Sequence, residues 1–502
     1  MPIRSSARVG AAALALALLA ATCADDTAGS DPEPSPGVTE TTTTAPSTTV
    51  AADDGAGDGS SDDSGSVDGS SDDAADPTAE PAWQNGDSAF LFDQDQLHTF
   101  ELTLDEEALA FLDADPVAEE YVEGSLTFNG ETLDRVGIRY KGSIGAFFSC
   151  VSEVNFSNLT AIGGHKTCRK LSMKVKVNWD GQDQTFYGVR KLQFHSMSND
   201  PSLMHDRLGY QLFRDMGIAA PRSVHARLVL NGEEIGVFAL VEQIDGRFTR
   251  ENFDDGTGNL YKEVWPIVGN QIANDRELFA GLKTNEDEDP RYDQIQSFAQ
   301  AVRDADEEDR GAELARFMDI DEVARYAAVD RTIRNDDGVF HVYCFNGTDA
   351  PCAPHNYYWY EEPTAGTMHL IPWDLDHAFS SLITPQNPVV PIRDDLGEIS
   401  NDCEPFGGFA GFAQVSAACD PILGAIASFD EEIDAQVAEF LAGPFALDRV
   451  NELLDTWTEQ IRDAVEQEAE DHADALRVSS WEASVEWLRE QVAWVHEQAE
   501  IG

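Results

Sequence analysis

The chain has 502 residues, of which 42% are hydrophobic and 25% are charged, so it is not a chain that is disordered throughout. Its formal net charge is −60 at pH 7. Residues 1–82 hold 15 acidic and 2 basic side chains, which leaves 78 acidic and 31 basic side chains, a net charge of −47, for residues 83–502. Such a surface repels nucleic acid and anionic membranes and suits high ionic strength.

Residues 1–23 have the features of an export signal. Arg4 and Arg8 precede the apolar stretch AAALALALLAA, which is too short and too rich in alanine for a stable membrane span. The stretch ends at Thr22-Cys23 and resembles a bacterial lipoprotein signal peptide, with Cys23 lipidated after cleavage. Secretion by ordinary cleavage is the alternative. We expect an extracytoplasmic protein, either held at the cell envelope by a lipid on Cys23 or secreted.

Residues 24–82 consist mainly of Ser, Thr, Asp, Gly, Pro and Ala, with scarcely a large apolar side chain. A segment of this composition buries too little surface to offset the entropy of ordering. We therefore predict a flexible acidic tether, extended by its own charge, and place the folded domain at residues 83–502.

Six cysteines follow Cys23, and they fall into three neighbouring pairs. An even number of cysteines in an exported chain favours disulfides. Zinc is the alternative, but no CxxC motif and no suitable histidine spacing support it. The expected bridges are Cys150–Cys168, Cys344–Cys352 and Cys403–Cys419.

From about residue 88 the pattern predicts strands. The segments FLFDQDQLHTFELTL and GSLTFNGETLDRVGIRYKGS alternate apolar and polar residues, and Asn129-Gly130 predicts a hairpin turn. The segments LSMKVKVNW and VRKLQFHSM continue the strands. One helix is predicted in SLMHDRLGYQLFRDMG, ending at Gly217. A second hairpin around Asn231-Gly232 ends at Glu242.

Helices dominate the second half, although HNYYWY and HLIPWDLD read as two short strands after the helix IDEVARYAAVDRTIRN. Acidic amphipathic helices run from about residue 428 to the end. This order predicts an α+β fold with two lobes and a cleft between them. We place a strand-rich lobe at about 88–265 and a mainly helical lobe at about 266–502.

The stretch HLIPWDLDHAF sets Asp374 and Asp376 among Ile371, Trp373 and Leu375. Alternation at period two is typical of a half-buried strand, in which both acids would face water. The alternative is that a strand ends here and both carboxylates converge on a cation, because Mg²⁺ takes oxygen ligands and needs only one or two protein carboxylates.

Several segments resemble the spore-coat protein H (CotH) kinase-like family. They are GIRYKGSIG, KLSMKVK, FYGVRKLQFHS, LVLNGEEIGVFALVEQID, NLYK, NDDG, HNYYWY and IPWDLDHAF, and they follow the family in order and spacing from about residue 98 to residue 385. The resemblance implies an atypical protein-kinase-like fold. It also implies the use of ATP with a divalent metal, and phosphoryl transfer to protein hydroxyls.

Phosphoryl transfer requires positioning and charge neutralisation. The turn Lys141-Gly142-Ser143 has small residues that would let backbone N–H groups approach a phosphate; an ordinary hairpin loop is the alternative. For the lysine that contacts phosphate, the resemblance favours Lys174, with Lys170 and Lys141 as rivals. A solvated basic edge is the alternative for this cluster.

The resemblance also assigns roles to acidic residues around the nucleotide. Asp206, which stands in the first helix where the family commonly has Arg-Glu, would be the ion-pair partner of the phosphate lysine. Glu242 would lie at the connection between the lobes, where the nucleotide base would rest. For both residues a structural role is the alternative.

The segment NDDG and the residues after it supply the candidates for the catalytic base and the metal ligands. By resemblance, Asp337 is similar to the kinase catalytic base, whereas Asn356 and Asp374 are similar to the metal ligands. Asp376 would be a second ligand or would support Asp374 through a hydrogen bond. The expected metal is Mg²⁺, with Mn²⁺ as an alternative.

Together these residues predict an exported, membrane-tethered kinase that phosphorylates Ser or Thr of an exported or envelope protein. The alternative is a noncatalytic cell-surface or spore-coat-like binding or scaffold protein that keeps the fold, since ATP is scarce outside the membrane. A two-metal phosphohydrolase would use the same aspartates, but the chain lacks a histidine-rich metal set. We expect no nucleic acid partner.

Overall fold

The computed structural model describes residues 82–142, 144–154, 162–335, 337–345, 352–379, 403–404, 406–409 and 412–501. The predicted leader, nearly all of the predicted tether and Ser143 lie outside this part of the chain. None of the helices in the described residues is long and apolar enough to cross a bilayer.

Seven strands of the first half close into a barrel. They are β1 (His98–Thr103), β2 (Val122–Phe128), β3 (Glu131–Tyr140), β6 (Met173–Lys176), β7 (Lys191–His195), β8 (Ser223–Leu230) and β9 (Glu233–Val241). Their order around the barrel is β1-β2-β3-β6-β7-β9-β8. Neighbouring strands are antiparallel except at the closure, where β1 runs parallel to β8 with His98 opposite Ala226.

Both predicted hairpin turns are confirmed. Asn129 and Gly130 join β2 to β3 with φ values of 50° and 79°. Asn231 and Gly232 join β8 to β9 with φ values of 53° and 79°. Two consecutive residues with positive φ match the twist of the flanking strands, which explains the Asn-Gly sequence.

The barrel encloses its own hydrophobic core. Met173 and Val175 of β6 belong to this core, whereas Lys174 and Lys176 alternate with them and therefore project from the outer face of the barrel. A hairpin of β4 (Val151–Val154) and β5 (Ile162–Lys166) is inserted between β3 and β6. The short helices described before β6 are α1 (Ala82–Asn85), α2 (Ser88–Leu91), α3 (Glu106–Ala114) and α4 (Ile144–Phe148).

The remaining elements build a second core. Helix α5 (His205–Asp215), predicted from the sequence, packs Leu208, Leu212 and Phe213 into it, and the helix is followed by Gly217 at φ 75°. A sheet in the order β10-β14-β15 lies against the same core. Its strands are β10 (Leu260–Lys262), β14 (Tyr357–Glu362) and β15 (Thr367–Pro372).

Helices form most of the rest of this second core. They are α6 (Gly246–Asn252), α7 (Asp275–Gly281), α8 (Asp293–Asp304), α9 (Arg310–Leu314), α10 (Ile320–Thr332), α11 (Pro421–Ala427), α12 (Asp430–Ala442), α13 (Leu447–Asp471) and α14 (Val478–Ile501). Short strands complete the list: β11 (Ile267–Val268), β12 (Gln271–Ile272), β13 (Val342–Phe345), β16 (Phe406–Phe409) and β17 (Phe412–Val415). The predicted helical region after residue 428 corresponds to α12–α14.

Helix α13 fastens the C-terminal region to the barrel through Glu468. One carboxylate oxygen accepts a hydrogen bond from the backbone N–H of Val237 at 3.1 Å, and the other pairs with Arg169 at 2.7 Å. Gly236 makes room for this contact, because a Cβ there would lie 2.0 Å from the Glu468 carboxylate.

The predicted α+β class is confirmed. The closed barrel was not predicted, because its closing β1–β8 contact joins residues about 130 positions apart and leaves no local pattern. Two hydrophobic cores are present in the described residues, one inside the barrel and one among the helices. The exact lobe boundaries given above stay predictions.

Two of the predicted disulfides are confirmed, Cys150–Cys168 and Cys403–Cys419. Cys352 is also disulfide-bonded. The side chain of its predicted partner, Cys344, lies outside the described part of the structure. Disulfides of this kind agree with an oxidising compartment.

Replacing Cys150 and Cys168 together by alanine should lower the free energy of unfolding by about 3 kcal/mol, because the bridge closes a loop of 18 residues in the unfolded chain. Urea denaturation of the double variant and the unaltered chain measures the difference. Superimposable transitions would show that the bridge does not stabilise the fold.

Candidate functional site

A pocket of about 650 Å³, counted with its open mouth, lies where several elements of the two cores meet. Its described walls come from the segment after β3, the end of β7 and the residues after it, α5, the end of β10 and the segment after β15. Its lining includes Lys141, Gly142, His195, Asp206, Lys262, Trp373, Asp374 and Asp376.

The acidic segment turns into the pocket because β15 ends at Pro372. Asp374 adopts φ 56°, and its backbone N–H donates to the Tyr210 hydroxyl at 2.9 Å. The next N–H, that of Leu375, donates to a carboxylate oxygen of Asp206 at 2.9 Å. Leu375 itself is buried. A continuous alternating strand is therefore the wrong interpretation of HLIPWDLDHAF.

Gly209 allows helix α5 to approach this segment closely. A Cβ at Gly209 would lie 2.8 Å from a methyl carbon of Leu375. The helix therefore presents Asp206 and Tyr210 to the backbone of residues 374 and 375 across a tight contact. This arrangement holds Asp374 and Asp376 in the same pocket.

Three carboxyl groups, those of Asp206, Asp374 and Asp376, face this pocket. Burial, followed by the charges of Asp376 and Asp206, raises the pKa of Asp374 to about 7. Burial and the charge of Asp206 raise the pKa of Asp376 to about 7. Burial also raises the pKa of Asp206 to about 6. The carboxyl groups would ionise more readily if a cation lay among them.

Two lysines of the pocket lie close to Trp373. The ammonium of Lys141 lies 5.5 Å from the centre of the Trp373 ring, and that of Lys262 lies 5.7 Å from it. Both lysines are buried apart from a small exposed fraction. The positive charge of Lys141 partly opposes the rise in the pKa values of Asp206 and Asp374. Positive and negative groups thus line the same pocket.

His195, the last residue of β7, connects Lys141 with Asp206. One ring nitrogen lies 2.9 Å from the Lys141 ammonium, and the other lies 3.3 Å from the Asp206 carboxylate. Lys141 also donates to the side-chain oxygen of Gln193 at 2.9 Å. These contacts join the barrel to helix α5.

Asp337 and Asn356 form a second, fully buried polar pair. The Asn356 amide donates to the Asp337 carboxylate at 2.7 Å and to its backbone carbonyl at 3.0 Å. The side-chain oxygen of Asn356 is buried and accepts no hydrogen bond from the described residues. The backbone carbonyl of Asn356 accepts a hydrogen bond from the backbone N–H of Trp373 at 3.2 Å, so the pair lies beside the acidic segment.

The family model described as CotH kinase protein matches residues 138–494. This chain belongs to the CotH kinase protein family. The match begins later than the resemblance found by sequence and extends further, so it includes most of the C-terminal helices. Among curated proteins, the chain is similar to the inner spore coat protein H of Bacillus subtilis (strain 168), with 26% identity over 204 residues. The aligned region covers 39% of this chain and 51% of that protein, so the chain spans about half the length of this relative.

Five of the residues named from the CotH resemblance line the pocket together, namely Lys141, Gly142, Asp206, Asp374 and Asp376. The N–H of Gly142 donates to a carboxylate oxygen of Glu119 at 3.0 Å. Ser143, the third residue of the proposed phosphate turn, lies outside the described residues. Asp337 and Asn356 are adjacent to the pocket but are not among its described lining residues.

The other lysines named from the resemblance lie elsewhere. Lys174 is opposite Arg139 and Gln193 on the outer face of the barrel and is not among the described lining residues. The ammonium of Lys170 lies 4.9 Å from the centre of the Phe238 ring, and burial lowers its pKa. Among the described contacts of Asp206, none is to Lys174; the carboxylate contacts His195 and the Leu375 N–H instead.

Glu242 lies at the end of β9 and is engaged by two arginines. Its carboxylate accepts hydrogen bonds from Arg222 at 2.9 Å and from Arg247 at 2.5 Å. Although burial opposes ionisation, the Arg222 and Arg247 guanidinium groups lower the pKa of Glu242. These contacts give Glu242 a structural role at the connection; its predicted place beside the nucleotide base stays a prediction.

His195 and Lys262 are charged or titratable residues of the pocket that received no role from the sequence. Both occur in segments that carry the family resemblance, FYGVRKLQFHS and NLYK. A single histidine or lysine at a strand end has no spacing that distinguishes it from a surface residue. Only the convergence of β7 and β10 on Trp373 brings them into the site.

Proposed function

We propose that the chain binds ATP with Mg²⁺ in this pocket and transfers the terminal phosphoryl group to Ser or Thr of an exported or envelope protein. The observation that carries the proposal is the convergence of three carboxyl groups and two lysines around Trp373. Carboxylates suit a divalent cation and lysines suit the phosphates, so a metal–triphosphate matches both kinds of charged group in the pocket.

The acid groups fit a hard cation. One oxygen of Asp376 and the side-chain oxygen of Asn356 are buried and accept no hydrogen bond from the described residues. Oxygen atoms of this kind are ligands that Mg²⁺ or Mn²⁺ prefers. We assign Asp374, Asp376 and Asn356 to the metal, which when bound would neutralise charge on the phosphates.

The lysine distribution supports a phosphate ligand. All eight lysines of the chain lie between residues 141 and 283, although the net charge is −60. Lys141 and Lys262 reach the pocket, and Lys174 lies on the adjoining outer face of the barrel. In a strongly acidic chain, the ammonium groups of these two pocket lysines would attract a polyanion.

Within this proposal, the chain's own residues divide the work. Lys141 and Lys262 orient the phosphates, and helix α5 holds the acidic segment in place through Asp206. Asp337 is the proposed base that accepts the proton of the acceptor hydroxyl, and the Asn356 amide orients its carboxylate.

The proposal includes a location. Residues 1–23 would direct export, Cys23 would carry a lipid, and residues 24–82 would act as the tether. The similar Bacillus protein is named as a spore coat protein, which agrees with an extracytoplasmic place. We propose a protein acceptor in that compartment and no nucleic acid partner.

Incubation of the purified chain with radiolabelled ATP, Mg²⁺ and a generic protein acceptor tests the proposal. Incorporation of phosphate into Ser or Thr is expected, and removal of the metal with a chelator should abolish it. ATP binding without any transfer would favour the noncatalytic scaffold. Release of inorganic phosphate from phosphoproteins would favour the phosphohydrolase.

Mg²⁺ binding should weaken as the pH falls, because Asp374 and Asp376 have pKa values of about 7 and protons compete with the metal. Because folding raises these pKa values, the stability of the metal-free fold should fall as the pH rises from about 4 to about 7, and it should stay lower above that pH. Added Mg²⁺ should therefore raise the thermal unfolding midpoint more at about pH 8 than at about pH 6. Equal shifts at the two pH values would contradict the assignment.

A further inference from the structure

His195 occupies a position between the lysine side and the acid side of the pocket. Its side chain is 12% exposed and packs edge-on against Trp373, with ring centres 5.7 Å apart and an interplanar angle of 82°. Because His195 ends β7, which pairs with β9 through Ala239, its backbone is held by the barrel. The ring is therefore well placed to fix groups on both sides of it.

The hydrogen bonds of the neutral ring define one tautomer. The Lys141 ammonium has only N–H groups to offer, so Nε2 of His195, 2.9 Å away, must accept. The proton of the ring then lies on Nδ1, which donates to the Asp206 carboxylate at 3.3 Å. The other oxygen of Asp206 accepts from the Leu375 N–H, next to Asp374. A continuous chain thus runs from Lys141 to the acidic segment.

A direct metal-binding role for His195 is less consistent with these contacts. His195, Asp206 and Asp374 each offer one ligand atom within 4.8 Å of the others, as in a metal site. However, a metal on either ring nitrogen would displace the contact to Lys141 or the contact to Asp206. The carboxylates can hold a hard cation without the imidazole.

We propose that His195 is a positioning residue that holds Lys141 on one side and Asp206 on the other, and so sets the phosphate lysine relative to the metal-binding acids. The inference rests on the proposed function, because it assigns phosphate to Lys141 and the metal to the acidic segment. In the described contacts, Nε2 contacts Lys141 and Nδ1 contacts Asp206. The two contacts can therefore be removed separately.

The tautomer can be measured without any activity. Long-range proton–nitrogen NMR correlations of the full chain labelled in histidine distinguish Nδ1–H from Nε2–H, and loss of one signal set in His195→Gln assigns His195. The Nδ1–H tautomer is expected. An Nε2–H tautomer would overturn the proposal, because Nε2 could not then accept from Lys141.

Two conservative variants separate the two contacts. In His195→Gln the side-chain oxygen can replace Nε2 as the acceptor for Lys141, whereas in His195→Asn the side-chain amide can replace Nδ1 as the donor to Asp206. His195→Phe keeps the ring packing against Trp373 and removes both contacts. Far-ultraviolet circular dichroism and thermal unfolding establish that each variant is folded.

The expected pattern is crossed. His195→Asn should raise the KM for ATP about tenfold while leaving the affinity for Mn²⁺, measured by electron paramagnetic resonance without ATP, close to that of the unaltered chain. His195→Gln should weaken the affinity for Mn²⁺ and leave the KM for ATP close to that of the unaltered chain. His195→Phe should raise the KM for ATP and also weaken the affinity for Mn²⁺. Equal losses in both variants would show a merely structural role. Loss of Mn²⁺ binding in every variant, His195→Asn included, would show that His195 is itself a ligand; either result overturns the proposal.

Failure of the proposed function gives a different result. If the unaltered chain transfers no phosphate, a KM for ATP cannot be measured. The tautomer of His195 and the Mn²⁺ affinities of the variants still test the link between His195 and the carboxyl groups of the pocket. In that case ATP affinity, measured by calorimetry, takes the place of KM. The Nδ1–H tautomer with crossed affinities would support the positioning role even in a noncatalytic protein.

Discussion

Replacement of Asp374 by asparagine should lower phosphoryl transfer by at least about a thousandfold and weaken Mg²⁺ binding, while the chain remains folded. The substitution preserves the size of the side chain and removes one of the negative charges assigned to the metal. The backbone contact that positions residue 374, from its N–H to Tyr210, does not depend on the side chain. Initial rates of phosphate incorporation measure the effect.

A matched control separates the loss of a metal ligand from the loss of any buried acid. Glu361 has a pKa raised to about 7, mainly by burial, and accepts a hydrogen bond from the Ile295 N–H at 2.9 Å, outside the pocket. Glu361→Gln should therefore keep activity. Transfer at the unaltered rate in Asp374→Asn would refute the metal assignment, whatever the control shows.

Replacement of Asp337 by asparagine should lower kcat by a factor of about 10² to 10⁴ and leave the affinity for ATP nearly unchanged, because a base acts on the acceptor hydroxyl and not on nucleotide binding. The variant should also lose about 1–3 kcal/mol of stability, because the Asn356 amide loses its charged partner. Single-turnover kinetics and equilibrium denaturation measure the two effects.

Asp330 provides the control for this variant. It is almost fully buried and accepts a hydrogen bond from the Asn335 amide at 2.8 Å, the same chemical contact as that between Asp337 and Asn356. Asp330→Asn should lose comparable stability without a comparable loss of kcat. Parallel losses of kcat in both variants would mean that Asp337 acts through the structure and is not the base.

The elements that could be predicted from sequence are those with a local cause. Asn129-Gly130 and Asn231-Gly232 form hairpins because Asn and Gly accept positive φ, and the helix before Gly217 follows from its apolar spacing. The disulfide between Cys150 and Cys168 follows from the separation of the two cysteines. Each of these features is decided within about twenty residues.

The acidic segment could be predicted only in part. The pattern of Asp374 and Asp376 among apolar residues allowed either a strand or a converging pair. Pro372 ends the strand β15. Helix α5 then fixes the following backbone, because Tyr210 and Asp206 accept hydrogen bonds from the backbone N–H groups of residues 374 and 375, respectively. The helix lies more than 150 residues away in sequence, so no local pattern could reveal the contact.

The phosphate side of the pocket depends still more on tertiary structure. Lys174 and Lys141 are both plausible from sequence, but the alternation of β6 and the end of β3 place only Lys141 among the described pocket residues. In the described contacts, Lys141 is connected to Asp206 through His195, and the direct pair between a lysine and Asp206 stays a prediction. This connection depends on the register of β7 within the barrel, which the sequence does not display.

Diffraction from crystals grown with Mn²⁺ and a nonhydrolysable ATP analogue tests the central claim most directly, because the anomalous signal locates the metal. We predict a Mn²⁺ ion bound to a carboxylate oxygen of Asp374, with the phosphates on the side of Lys141. A nucleotide-bound crystal in which the Asp374 and Asp376 carboxylates face bulk solvent, with no metal beside them, would contradict the account.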